Sequence, residues 1–344
     1  MATSSSLWHT FYDTAAQFRD LAPWRWMYDS QFFGIRHPET GETDWCCIMG
    51  NAGQHYALAV YRGAAGLHSY FRLASASDFE SEYNPEYFNA MFGQNCRMVS
   101  FEDAATTPPE TKAHLKSLGL SFRGAGQWIV AQTYDPGMDP WLLEEKDLPW
   151  LIECLRQAMS VARRYRDDSG LLDPDGDEIL VRVPAGNPEA PVWEDRFIDE
   201  ADLPDEPAAA PAAPTQDFLD KIKFLPVING AVAISNFMTP QAVQERKNKR
   251  PWHPSVLLCI EPGSGYILSQ EMAAYPELPG RLEKFLLGVF KTVKGKPRQI
   301  GVHHEPMAQW LEEIGEAADI EIIQLTGDEP FLTGVVESLS GFMR

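Results

Sequence analysis

The chain runs to 344 residues, 44% hydrophobic and 11% aromatic, a composition that fits an ordinary globular protein with room for two cores and excludes a disordered or fibrous chain. No apolar run approaches the roughly 18 residues a membrane span needs, so no membrane partner is expected, and Met1-Ala2-Thr3-Ser4-Ser5-Ser6 lacks the basic-then-apolar pattern of a secretory signal, which makes the cytoplasm the expected location. The formal charge of −20 is uneven: residues 167–206 hold 14 acids and 2 bases, whereas residues 215–344 come to only −3, so polyanion binding is disfavoured in the first part of the chain but not in the second.

In chain order, apolar periodicity predicts helices over 7–21, 63–73, 108–118 and 148–166, and strands over 32–36, 44–49, 54–61, 96–101, 127–133 and 178–183. Helices and strands mix without strict alternation, which reads as an α+β module over residues 1–200. The turn sequences Pro38-Glu39-Thr40-Gly41-Glu42 and Gly50-Asn51-Ala52-Gly53 punctuate 32–61 as a three-strand meander. The helix over 148–166 is the clearest. Leu151, Ile152, Leu155, Met159 and Ala162 recur at helical spacing, and Asp147-Leu148-Pro149 offers a cap followed by an early proline.

The acid-rich stretch 167–206 reads as a solvated connector. Within it, Asp173-Pro174-Asp175-Gly176-Asp177 has its glycine misplaced for a calcium loop and no closing glutamate, so a turn is expected. Residues 201–216 are acidic, rich in Pro and Ala and without large apolar side chains after Leu203, which predicts a semi-extended linker.

In the second module, 217–344, Val256-Leu257-Leu258-Cys259-Ile260 reads as a buried strand that stops at Glu261-Pro262-Gly263-Ser264-Gly265, and Tyr266-Ile267-Leu268 starts the return strand of a hairpin. A helix over 281–293 carries Leu282, Phe285, Leu286, Val289, Phe290 and Val293 on one stripe, with Arg281, Lys284, Lys291 and Lys294 toward the other side. Gln299-Ile300-Gly301-Val302 and Ile320-Glu321-Ile322-Ile323 read as two further strands. Glu305-Pro306 opens a helix with Met307, Leu311 and Ile314 inward, and Phe331, Leu332, Val335, Val336, Leu339 and Phe342 mark the inner face of a last one. A hairpin feeding β-α-β-α units in a mixed sheet resembles, by pattern, the α/β RNase H-like fold of integrases and nucleases. That resemblance implies carboxylates converging on two divalent ions, Mg or Mn. Glu261 stands at the end of what the pattern makes the first strand. His303 and His304 occupy the place of the second acid, so Glu305 arrives late; Glu337 lies opposite the last apolar stripe, which leaves Asp328 as the better third acid. A nuclease would therefore use Glu261, Glu305 and Asp328; otherwise Glu261 is a turn residue and no cofactor is expected.

Two clusters invite a ligand. Arg246, Lys247, Lys249 and Arg250, followed by Trp252 and His253, combine phosphate-seeking charge with an aromatic, as does the strip Arg281, Lys284, Lys291 and Lys294 without one; the alternative for the first is a solvated loop. Trp24, Trp26, Tyr28, Phe32, Phe33 and Trp45 crowd a short stretch that serves either as core or as the lining of a ligand pocket. Adjacent residues on a strand point to opposite faces, so neither Cys46-Cys47 nor His303-His304 reads as a chelate, and five cysteines in this spacing form no disulfide framework. Walker, dinucleotide and HExxH motifs are missing.

Three groups of residues carry a wider resemblance: Ala22-Pro23-Trp24-Arg25-Trp26; Met49-Gly50-Asn51 with the run from Tyr56 to Gly63; and Trp252-His253-Pro254 through Gly265. On them the chain resembles uncharacterised bacterial proteins in which two modules of unknown function are joined by a variable linker. The expected function is that of a non-catalytic binding or regulatory protein with a degenerate RNase H-like module and a protein or nucleic-acid partner at its C-terminal part. The alternatives are a divalent-metal nuclease and small-ligand binding by the N-terminal module.

Overall fold

The computed structural model describes residues 4–76, 85–172, 177–187, 192–207, 214–247, 249–302 and 305–325. The chain forms two compact units. The first takes residues 1–71, 95–135 and 140–206; the second takes 72–94, 136–139 and 207–344.

The first unit is built on an eight-stranded mixed sheet. In chain order it contains α1 (Ser4–Leu21), β1 (Phe33–Arg36), β2 (Thr43–Met49), β3 (Ala57–Tyr61), the start of α2 (Gly63–Ser75) and, after α3, which belongs to the second unit, β4 (Cys96–Glu102) and α4 (Pro109–Ser117). It continues with β5 (Trp128–Tyr134), β6 (Trp141–Leu142), α5 (Leu148–Asp167), β7 (Glu178–Ala185) and β8 (Val192–Asp199). The strand order is β6-β5-β4-β3-β2-β1-β7-β8, antiparallel throughout except where β1 meets β7 in parallel. The expected meander over 32–61 is present as β1, β2 and β3.

Strict alternation along each strand builds two cores. Phe33, Cys46, Ile48, Leu58, Val60, Val99 and Ile129 face α1 and α5, whose stripes of Phe11, Ala15 and Phe18 and of Leu151, Leu155 and Ala162 are fully buried. Trp45, Cys47, Ala59, Tyr61 and Cys96 face the other way, against Leu67, Tyr70 and Phe71 of α2. Cys46 and Cys47 thus sit in different cores, and all five cysteines are buried free thiols. The same alternation divides the aromatic cluster. Phe33 and Trp45 lie on opposite faces, while Tyr28 is exposed.

Two expectations are corrected here. Asp147 makes no side-chain cap to α5; its carboxylate instead accepts from Arg97 Nη2 at 2.7 Å, because a half-buried guanidinium is the stronger claimant. The acidic connector is not uniformly solvated. β7 and β8 pair along their whole length within it, and Asp195 of β8 takes ion pairs from Arg164 and Arg182. Burial raises the pKa of Asp195, but the hydrogen bonds and charges of those two arginines outweigh it and hold the carboxyl below its usual value. Asp173 to Gly176 lie outside the described residues.

The second unit has a five-stranded sheet in the order β11-β10-β9-β12-β13. Its described elements are α3 (Pro85–Phe92), α6 (Gln216–Ile222), β9 (Val227–Met238), β10 (Pro254–Glu261), β11 (Tyr266–Ala274), α7 (Leu278–Val293), β12 (Lys296–Val302), α8 (Glu305–Ala318) and β13 (Glu321–Gln324). β9, β10 and β11 are mutually antiparallel neighbours, whereas β12 is parallel to β9 and β13 to β12. One face is covered by α6, α7 and α8 through Phe218, Leu282, Phe285, Val289, Leu311 and Ile314. The other is covered by Phe88 of α3, packed on Phe237, Val256, Leu258 and Ile260.

The strand expected to open this sheet, over 256–260, is its second strand. The first is β9, in which Asn229, Gly230, Ser235 and Asn236 interrupt the β-branched Val227, Ile228, Val232 and Ile234 and so break up the run by which strands are read. The last helix, expected around Phe331 to Phe342, lies outside the described residues.

Candidate functional site

Of the three expected catalytic residues, Glu261 alone has a described side chain. Glu261 ends β10, and its carboxylate folds back over its own hairpin turn. It accepts from Gly263 N at 3.1 Å, from Ser264 N at 2.7 Å and from Ser264 Oγ at 2.6 Å. The Ser264 hydroxyl and the two amides hold its pKa below the usual carboxylate value. Three of the roughly four lone-pair sites of this carboxylate are thereby used within its own turn. Glu305 is the first residue of α8, just past the end of β12. β10 runs antiparallel to β9 and β12 parallel to it, and Ile260 and Gly301 both pair with Ala233, so the two strands finish at one level on either side of β9. Asp328, His303 and His304 lie outside the described residues. Among the described residues, no cluster of three metal-ligating side chains occurs.

The basic strip of α7 is half neutralised. Arg281 Nη2 reaches Glu277 at 3.0 Å, and Lys284 Nζ reaches Glu271 at 3.0 Å, while Lys291 and Lys294 are exposed. In the second cluster, Arg246, Lys247 and Lys249 are exposed on a turn closed by Gln244 Nε2, which donates to the carbonyls of Lys247 and Lys249. Arg250 donates to Asp139 O. His253 is buried, stacked on Phe92 at 3.9 Å, with its two ring nitrogens against Thr239 O and Asp139 Oδ1. Asp44, the buried carboxylate of the first unit, is likewise occupied: it accepts from Gly63 N at 2.9 Å and Trp150 Nε1 at 2.7 Å. Burial raises its pKa against those two bonds.

The first unit has a cleft of about 450 Å³ whose walls include Arg19, Trp24, Arg25, Asn51, Tyr56 and Gln127, a size within the usual range for small-molecule sites. Trp24 and Arg25 come from the single turn that follows α1, entered through Ala22 in the left-handed conformation at φ 51°. Asn51 and Tyr56 come from the β2–β3 connection, and Gln127 immediately precedes β5. The rings of Trp24 and Tyr56 are 5.1 Å apart at a tilt of 38°, and Trp24 is backed by Phe101 at 5.4 Å and Phe18 at 6.2 Å. Asn51 Nδ2 donates to Trp24 O at 3.1 Å, which ties the two segments together.

Gly50 is required between them. Its φ is 124°, and a Cβ there would lie 2.5 Å from Tyr56 Cδ1 and 3.2 Å from Trp24 Cβ, so only glycine lets the loop close on the aromatic pair. A second groove, in the C-terminal unit, is lined by Arg298 together with Glu316, Asp319 and Glu321, an acidic surface that offers no comparable aromatic wall. Of the cleft residues, the sequence reading singled out Trp24 within the aromatic cluster. Arg25 and Asn51 belong to the distinctive runs 22–26 and 49–51, whereas Arg19 and Gln127 lie in neither and carry no local signal, because the segments that form the cleft are far apart in the chain.

Fold and cleft together describe a two-unit α/β protein with a preformed polar-aromatic concavity on the larger sheet. Residues 8–182 match the family model described as a domain of unknown function, DUF7309, which covers just over half of the chain, and the chain belongs to that family. Residues 218–339 match a second domain of unknown function, DUF6930. No curated protein matches the chain. The family segment 8–182 and the first compact unit do not coincide, since residues 72–94 and 136–139 belong to the second unit. No helix among the described residues is long and apolar enough to cross a membrane.

Proposed function

We propose that this is a non-catalytic binding or regulatory protein whose N-terminal unit holds a small ligand in the Trp24–Tyr56 cleft. The observation that carries this reading is convergence. The two distinctive N-terminal runs, 22–26 and 49–51, meet Tyr56 in one concavity, tied by the Asn51–Trp24 hydrogen bond and by a glycine that no other residue can replace. Aromatic residues held at that tilt and only partly covered offer a stacking wall at low entropic cost.

A ligand that binds only the folded state raises the melting temperature, so a thermal-shift screen on the full chain tests the reading. A compound that shifts the wild type and not Trp24→Leu, with folding of the variant checked by circular dichroism, is the expected outcome. If no compound shifts the wild type in a manner that Trp24→Leu removes, the cleft is not the site.

The C-terminal unit we read as RNase H-like and as a docking module for a protein or nucleic-acid partner. Its strand order, with three antiparallel strands followed by two that run parallel to the first, supports that reading. The same topology favours the competing reading of a metal-dependent nuclease using Glu261, Glu305 and Asp328, with phosphates guided by Arg281, Lys284, Lys291 and Lys294. Calorimetric titration of Mn²⁺ into the full chain separates the two. Saturable binding and strand cleavage, both lost in Glu261→Gln, would establish the nuclease; heats identical in wild type and variant leave Glu261 as the residue that closes its turn.

A further inference from the structure

We propose that the ligand of this cleft is a planar aromatic ring bearing one anionic group, a carboxylate or a phosphate, with the ring against Trp24 and Tyr56 and the anion on Arg25. The inference rests on the reading of the cleft as a ligand site and adds the chemistry it selects.

Charge is the first argument. In a chain of net charge −20, the cleft is lined by two guanidinium groups and no carboxylate. The two are not equivalent. Arg19 is committed: Nε and Nη2 both donate to Asp20 Oδ1, and Nη1 donates to Gln127 O at 3.1 Å. Its charge is largely compensated, and it serves as a wall. Arg25 lies exposed on the turn at the cleft, and its side chain has no hydrogen bond or ion pair among the described residues. A guanidinium presents paired N–H donors that match a carboxylate or phosphate in a bidentate fork. An uncompensated cation at the mouth also attracts anions and repels amines.

Shape is the second argument. Trp24 cannot swing away, because Phe18 and Phe101 pack behind it and Asn51 holds its backbone. The lining also includes two glycines with positive φ, Gly53 at 79° and Gly126 at 64°, which contribute backbone and no side chain. A packed aromatic wall in a lining that includes glycines suits a flat ring. Asn51, whose Nδ2 is spent on Trp24, keeps its side-chain carbonyl as an acceptor for an edge N–H or hydroxyl of that ring.

The test is calorimetric titration of the full chain with four probes: adenosine 5′-monophosphate, 4-hydroxybenzoate, adenosine and inorganic phosphate. A ring with its anion is expected to bind saturably and more weakly as salt is raised, and the first two probes separate a phosphate source from a carboxylate source. Arg25→Gln, at an exposed position that leaves the fold intact, is expected to weaken that probe about tenfold or more, and Arg25→Lys to restore part of the loss. Adenosine binding as well as its monophosphate, or an affinity unchanged in Arg25→Gln, would overturn the proposal. Suppose instead that none of the four binds, yet a neutral or cationic compound shifts the melting temperature of the wild type and not of Trp24→Leu. The ligand class is then wrong and the site stands. If no compound gives such a shift, both fail.

Discussion

Asn89 supplies the hydrogen bonds that Asn236 and its neighbour would otherwise lack. From α3, its Nδ2 donates to Asn236 O at 2.9 Å and its Oδ1 accepts from Met238 N at 3.1 Å. β12 makes its last pairing at Val302, opposite Ile234, so residues 236 and 238 of β9 extend past the end of that neighbour. One side-chain amide, donor and acceptor together, continues the ladder by a single rung. α3 is therefore part of the second unit by hydrogen bonding as well as by the packing of Phe88 on Phe237, Val256 and Ile260, and a cut at the Pro/Ala linker would strip that cover from the sheet.

Removing this amide should be costly. Asn89→Ala leaves the buried Asn236 carbonyl and Met238 amide unpaired, and each orphaned group costs about 1–3 kcal/mol. Urea unfolding of the full chain is expected to show the second unit destabilised by about 2–4 kcal/mol. An unchanged midpoint would mean that water replaces the bridge.

The side chain of Asn236 presents the opposite situation. It is fully buried, yet neither Nδ2 nor Oδ1 has a partner, and Ser255 Oγ, two residues along the adjoining strand from its partner Leu257, has none either. Replacing an unsatisfied buried amide with an apolar side chain of similar size removes a desolvation penalty and adds buried carbon. Asn236→Leu is therefore expected to be neutral or stabilising, by up to about 2 kcal/mol, measured as a rise in melting temperature. A loss of more than about 1 kcal/mol would place an ordered water between Asn236 and Ser255.

Glu86 should give the second unit a pH dependence opposite to that of an ordinary ion-paired acid. Burial pushes its pKa up to about 7, against the opposing pull of Arg72 and of a hydrogen bond with Asn89. The folded-state value exceeds the unfolded one, so the folded state binds this proton more tightly. The associated stability is complete below the ordinary carboxylate value of 4.5 and is lost as pH rises from there through about 7. Glu86→Gln keeps the shape without the charge. It should stabilise the protein at pH 8 by up to about 3 kcal/mol and make no difference at pH 4. Melting curves of the two proteins across that range decide it; a constant difference at all pH values would show that Glu86 does not titrate in the fold.

The sequence by itself determined most of the secondary structure and the two-part organisation. α1, α2, α5 and α7 are legible because Phe11, Ala15 and Phe18, or Leu282, Phe285, Leu286 and Val289, repeat at the helical period and must share a buried face. β1 to β5 are legible because short alternating runs are bounded by Gly41, Gly50 and Gly53. Signals of that kind are local and survive without the rest of the molecule. Tertiary structure decided the remainder. β9 runs unbroken because its neighbours on both sides hydrogen-bond it, against the weak strand propensity of Asn229, Gly230, Ser235 and Asn236 within it. β8 is a strand because Arg164 and Arg182 hold Asp195 within an otherwise acidic run. Glu261 closes its turn because its carboxylate accepts from Gly263 N and from the amide and hydroxyl of Ser264. The cleft exists only where segments from before β1, between β2 and β3, and before β5 arrive side by side. Hydrogen bonds and packing between residues distant in the chain are a property of the assembled sheet, and no local pattern encodes them.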